Sequence, residues 1–246
     1  AASDAGDKKE IKFAVNSTVI PLHVAEATTN TKQTISLRVN EIFFSLQGET
    51  SRSGLPTVFV RLTGCPLRCG YCDTAYAFHE GESQPLQSIL DQVTAYTPRY
   101  VTVTGGEPLA QKNCLVLLTQ LCDVGYSVSL ETSGAIDIAE VDVRVSRIVD
   151  IKTPGSGEVK KNRWQNIPLL NAQDEIKFVL CDEADYVWAR EQLQQRALDK
   201  IAPILFSPVY ETLQPAQLAE WILRDCLPVR MQVQLHKVLW GVERGK

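Results

Sequence analysis

What this 246-residue chain lacks already limits what it can be. No stretch approaches the roughly 18 consecutive apolar residues that span a bilayer, so no membrane-spanning helix is expected. There is no block of lysine and arginine, and the net charge is -4; both argue against a nucleic acid or an anionic membrane surface as the main partner and favour a small ligand. The acidic start, Ala1-Ala-Ser-Asp4-Ala-Gly-Asp7, lacks the basic-then-apolar layout of a secretion signal, so the expected compartment is the cytoplasm. Internal repeats and low-complexity tracts are absent. The seven cysteines are an odd number with three crowded together, which fits a reducing compartment and metal binding better than a disulfide framework.

With 44% hydrophobic and 22% charged residues, the chain has the size and balance of one α/β domain with a full core. Residues 1–36, rich in Ala, Thr, Asn and Lys, read as a leader or extension, and 37–246 as the catalytic domain. From Val39 an apolar-rich segment runs to a polar loop, Ser45-Leu46-Gln47-Gly48-Glu49, a candidate ligand contact. Beyond Gly54 short β-branched or apolar runs alternate with helical segments, the pattern of βα units around a parallel sheet. Strands are predicted at 57–62, 100–104, 127–131, 147–151, 175–180, 203–206 and 230–235, and helices at 86–96, 109–124, 183–198 and 215–226. The unusual residues fall at the predicted carboxyl ends: Gly64-Cys65, Gly105-Gly106-Glu107-Pro108, Thr132-Ser133-Gly134, Lys152-Thr153-Pro154 and Ser207-Pro208. In parallel barrels the loops at that end build the active site, so these distant segments are expected to converge.

Cys65-Pro-Leu-Arg-Cys69-Gly-Tyr-Cys72 places three thiols at offsets of four and three. Three thiolates leave one coordination position of an iron-sulfur cluster or zinc site open, and soft sulfur suits iron. The bland alternatives are three free thiols, or a zinc site completed by His79. Gly105-Gly106 would let a ligand approach the main chain closely, or would be an ordinary strand-to-helix turn with Glu107 favoured by the helix dipole. Thr74, after Asp73, offers a hard oxygen suited to Mg²⁺, or caps the next helix. His236 and Lys237 could contact a ligand or form a strand-end pair packed by Trp240. Cys114, Cys122, Cys181 and Cys226 read as small buried apolar residues.

The cysteine motif followed by Gly105-Gly106-Glu107-Pro108 resembles the radical S-adenosylmethionine (SAM) superfamily. Together with Ser45-Leu46-Gln47-Gly48-Glu49, Arg61-Leu62, Cys72-Asp73-Thr74, Thr102-Val103-Thr104, Glu131-Thr132-Ser133-Gly134 and Gln234-Leu235-His236-Lys237, it resembles the 7-carboxy-7-deazaguanine synthase family, from about Val39 to the C-terminus. The resemblance implies a partial parallel β/α barrel of the radical SAM type with reduced helix content. It implies conversion of 6-carboxy-5,6,7,8-tetrahydropterin to 7-carboxy-7-deazaguanine with loss of ammonia, in 7-deazapurine (queuosine-type) biosynthesis. The implied cofactors are a [4Fe-4S] cluster on Cys65, Cys69 and Cys72, SAM, and Mg²⁺ on Thr74. SAM contacts are expected from Tyr71, Asp73, Gly105, Gly106, Glu107, Ser133, Asp150, Lys152 and Ser207. Substrate contacts are expected from Leu46, Gln47, Gly48, Glu49, Arg61, Thr104 and His236, with Arg61 offering two prongs to a carboxylate. An external electron donor, such as a flavodoxin-type reductant, and a homodimer are further implications. A glycyl-radical activase and a non-catalytic iron-sulfur or zinc module are the rival readings.

Overall fold

The computed structural model describes residues 35–246; the predicted leader, but for its last two residues, lies outside them. β1 (Ser36–Leu46) and β2 (Pro56–Leu62) form an antiparallel hairpin, and β3 (Glu82–Pro85) pairs with the start of β1. Parallel to β2, and each pairing with the one before, follow β4 (Tyr100–Gly105), β5 (Ser127–Thr132), β6 (Ser146–Ile151), β7 (Glu175–Leu180), β8 (Ile204–Pro208) and β9 (Arg230–Met231). The nine-stranded sheet does not close, since β3 and β9 are its two edges. Four helices cover it: α1 (Leu86–Ala95) before β4, α2 (Cys114–Val124) before β5, α3 (Glu183–Gln195) before β8 and α4 (Pro215–Arg224) before β9; a short α5 (Leu235–Trp240) ends the chain. The connections into β6 and β7 carry no α-helix, and the second is a string of 3-10 turns. This is the incomplete, helix-poor β/α barrel expected from the sequence.

The strands sort their side chains by parity, as a period of two requires. Val58, Val60, Val101, Val103, Val128, Leu130, Ile176 and Phe178 belong to one buried apolar cluster with Leu117, Leu121, Tyr186 and Leu218 of the helices. The alternate positions, Arg61, Thr104, Glu131, Asp150, Lys177 and Ser207, face the other side and line a cleft. Burial of the apolar face, at roughly 25 cal/mol per Å², fixes the register, and the register puts every polar residue of that set on the concave face.

Helix limits follow local chemistry. Asp182 accepts from the Asp185 amide at 2.9 Å to start α3, Pro215 sits in the first turn of α4, and α2 stops at Gly125, where φ is +100°. Three expectations are corrected. The predicted helix 109–124 begins only at Cys114, because Pro108–Ala110 form a separate 3-10 turn. The predicted strand 230–235 is two residues long, since an edge strand has only β8 to pair with, and Leu235 begins a helix. Cys114 and Cys122 are buried, but Cys181 is only partly so and Cys226 is exposed at φ +47°.

Candidate active site

At the amino-terminal end of the concave face, the loop joining β1 to β2 folds inward as a floor. Gln47 is buried; its Nε2 donates to Thr102 Oγ1 at 3.3 Å and Glu131 Oε1 at 3.2 Å, while its Oε1 accepts from the Glu49 amide. Glu49 meets Lys177 Nζ at 2.7 Å and Gln234 Nε2 at 2.8 Å. Burial alone would raise the Glu49 pKa, but the ammonium of Lys177 outweighs it and holds the carboxyl below its ordinary range. For Glu131 burial wins, and its pKa is raised. Gly48 is needed for contact: a Cβ there would lie 2.2 Å from His236 Nδ1.

The carboxyl ends supply the other wall. Cys65, Cys69 and Cys72 all line the same cleft, which has a volume of about 740 Å³. Their loop is held by Gly70 N–H donating to Ser156 O at 3.1 Å and Arg68 N–H to Glu158 Oε1 at 2.6 Å. Burial pushes the Cys65 and Cys69 thiols up. Gly105 and Gly106 border the cleft, yet their lack of side chain first serves packing. A Cβ on Gly106 would lie 2.4 Å from Gly64 O and 2.8 Å from Cys65 Cβ, and one on Gly105 would strike the Leu62 backbone. Thr74 does not cap the following turn; its hydroxyl borders the cleft, 3.8 Å from Cys72 Sγ.

Asp150 bonds Lys152 Nζ at 3.0 Å and lies 3.8 Å from Lys177 Nζ. Its Oδ1 and the Tyr71 hydroxyl are buried with no partner. Such orphans are rare, and two beside one cleft leave hydrogen-bonding capacity for a polar ligand. Arg61 gives Nε to Glu41 Oε1 at 2.7 Å, which orients its guanidinium in the cleft wall. Asp73 pairs with Lys237 at 2.8 Å. Leu46, Thr104, Ser133 and Ser207 also line the cleft. Glu107 does not. Its fully buried carboxylate accepts from Leu109 N, both Thr132 and Ser133 hydroxyls and Ser133 N, bracing the end of β5 against that of β4. His236 is no strand-end residue: it lies in the first turn of α5, and burial lowers its pKa.

Among proteins of known function, the chain is 46% identical to the 7-carboxy-7-deazaguanine synthase of Chlorobaculum tepidum over 83% of its own length and 94% of the relative's. It is 41% identical to that of Koribacter versatilis, over 84% and 98%. The chain belongs to the 7-carboxy-7-deazaguanine synthase family. Residues 59–148 match the Radical SAM superfamily. The crystal structure of QueE from Escherichia coli shares the fold, with a TM-score of 0.68 and 25% identity over 82% of this chain and 95% of that one. As a radical SAM protein, the family member calls for a [4Fe-4S] cluster and SAM.

The residues fit that cofactor pair. Among the described residues, no three His, Cys, Asp or Glu side chains converge on one ion, and His79 does not line the cleft. Three partly buried free thiols on one loop at the cleft edge are a soft donor set of the kind that would hold an iron-sulfur cluster with one iron left open. Sequence reasoning missed Lys177, and quoted Glu131 and Gln234 in the family motifs without giving either a place in the site. Lys177 had a readable signal, being a cation inside a strand whose neighbours are Ile176 and Phe178.

Proposed function

We propose that this chain is a 7-carboxy-7-deazaguanine synthase acting on 6-carboxy-5,6,7,8-tetrahydropterin, with release of ammonia, as a cytoplasmic homodimer served by an external flavodoxin-type electron donor. Residues 37–246 form its catalytic domain. The observation that carries the reading is that one cleft combines the three-thiol loop with buried amide and carboxylate groups suited to a planar heterocycle. Cys65, Cys69 and Cys72 hold the cluster and leave one iron position to SAM. Tyr71, Asp73, Gly105, Gly106, Ser133, Asp150, Lys152 and Ser207 bind SAM, while Glu107 acts behind them by fixing Ser133. The cluster and SAM, when bound, supply hydrogen-atom abstraction from the substrate; the protein orients the substrate and excludes water.

Gln47 and Glu49 pair with the heterocycle's donor-acceptor edge, an ionised Glu49 accepting from ring N–H groups. Arg61, already aimed by Glu41, takes the substrate carboxylate through its remaining N–H groups. Leu46 and Gly48 flank the ring, and Thr104 and His236 complete its polar contacts, His236 as a neutral imidazole. Thr74 would be the protein's oxygen ligand for Mg²⁺, a hard cation that suits a hydroxyl donor. The test is anaerobic turnover by reconstituted protein with the pterin, SAM, Mg²⁺ and a reductant. Ammonia and 7-carboxy-7-deazaguanine in equal amounts are expected; absence of both overturns the assignment.

A further inference from the structure

Besides its own Arg52, which donates to Ser127 O at 3.0 Å and Ser127 Oγ at 3.1 Å, the floor loop that carries Gln47 and Glu49 is held by two side chains of the barrel to which the family reading gives no part. We infer that Glu175 and Gln232 are positioning residues for substrate, acting by clamping the backbone of this loop; the inference rests on the proposed substrate site. Glu175, the first residue of β7, accepts from the Ser51 amide at 2.8 Å. Gln232, just after the edge strand β9, accepts from the Thr50 amide at 2.7 Å. Two consecutive amides are therefore fixed by two elements remote in sequence. Thr50 sits at φ +68°, a left-handed conformation that a non-glycine residue keeps only when its surroundings hold it.

The geometry gives the clamp a direct route to the ligand contacts. Glu49 is adjacent to Thr50, and its carboxylate must meet both Lys177 and Gln234. Lys177 lies two residues after Glu175 on the same face of β7, and Gln234 two residues after Gln232. Each clamp is thus tied along one short stretch of chain to a partner of Glu49. The same two contacts bind the floor loop across the open side of the sheet, where β9 has no further strand. Both side chains serve this loop alone: Glu175 Oε2 and Gln232 Nε2 are buried without another partner. Neither residue lines the cleft, which places the clamp behind the proposed substrate contacts.

Glu175→Ala and Gln232→Ala should each raise the KM for the pterin about tenfold, the scale of one lost buried hydrogen bond amplified by the loop, while the KM for SAM stays within about twofold. Glu175→Gln keeps the acceptor oxygen and should restore the pterin KM. In the metal-free protein, amide exchange across 47–55 should accelerate in both alanine variants and stay at the wild-type rate in Glu175→Gln. Equal rises in both KM values, unchanged exchange, or no rescue by glutamine would overturn the clamp. If one alanine variant does not fold, the other carries the test. If wild-type protein turns over no pterin, the functional reading fails, whereas the exchange measurement still decides whether the loop is clamped.

Discussion

Lys177 shows how much depends on one charge inside this protein. It is about nine-tenths buried, as is Glu49, with 2.7 Å between them, and it also faces Asp150 and Glu131. Burial disfavours the ammonium, but Glu49 and Asp150 outweigh it and hold the Lys177 pKa well above its usual value. Lys177→Met would strand Glu49 in a place where burial then dominates. Breaking such a pair costs about 3–5 kcal/mol, expected as reduced stability to urea at pH 7. The sign of its pH dependence follows from Glu49. In the wild type its folded pKa lies below 4.5, so its contribution is full above that value and disappears as pH falls through the folded pKa. In the variant the folded pKa moves above 4.5, and protonation relieves the stranded charge. The stability gap between the two proteins should therefore shrink as pH falls from 7 to below 4.5; a gap that stays constant would show that Glu49 is not the responding group. This network was only half legible in the sequence. Glu49 stood in a recognisable motif, whereas its partner sits 128 positions away in a strand that reads as plain core.

At the scale of elements, the parallel strands and long helices could be read because one face of each is continuously apolar. β3 could not, since Glu-Ser-Gln-Pro is a polar edge strand without alternation. α5 was hidden because Val229-Arg-Met-Gln-Val-Gln-Leu235 alternates apolar and polar residues and so mimics a strand longer than the sheet edge pairs. What no local pattern announces is how α3 supports the thiol loop. Asp185, in the first turn of α3, accepts from Thr153 Oγ1 at 2.9 Å, Gly155 N at 2.7 Å and Cys181 N at 3.0 Å. The turn it fixes continues to Ser156, whose carbonyl receives Gly70 N–H between Cys69 and Cys72. Asp185→Ala leaves three donors in a buried site without their acceptor, a loss of about 3 kcal/mol. Chemical denaturation should show that loss, and iron retention after reconstitution should fall with it; full iron retention would separate the helix from the thiol loop.

The molecule as a whole is an open sheet with division of labour between its faces: apolar packing under the helices fixes the register, and the register delivers polar groups from six parallel strands and one floor loop to a single cleft. Everything in that arrangement belongs to the part of the chain from Thr34 onward, one compact unit. The sheet begins at Ser36, and the cleft residues run from Phe43 to Lys246. Deletion of residues 1–34 therefore removes none of the described strands, core side chains or cleft residues. The shortened protein should melt within about 2 °C of the full chain, the shift expected from less than 1 kcal/mol in a domain of this size. Its turnover of the pterin should likewise remain within about twofold. Scanning calorimetry beside the anaerobic ammonia assay makes the comparison, and a large loss in either would mean that the first 34 residues contribute to the domain or its site in a way the cleft and core do not require.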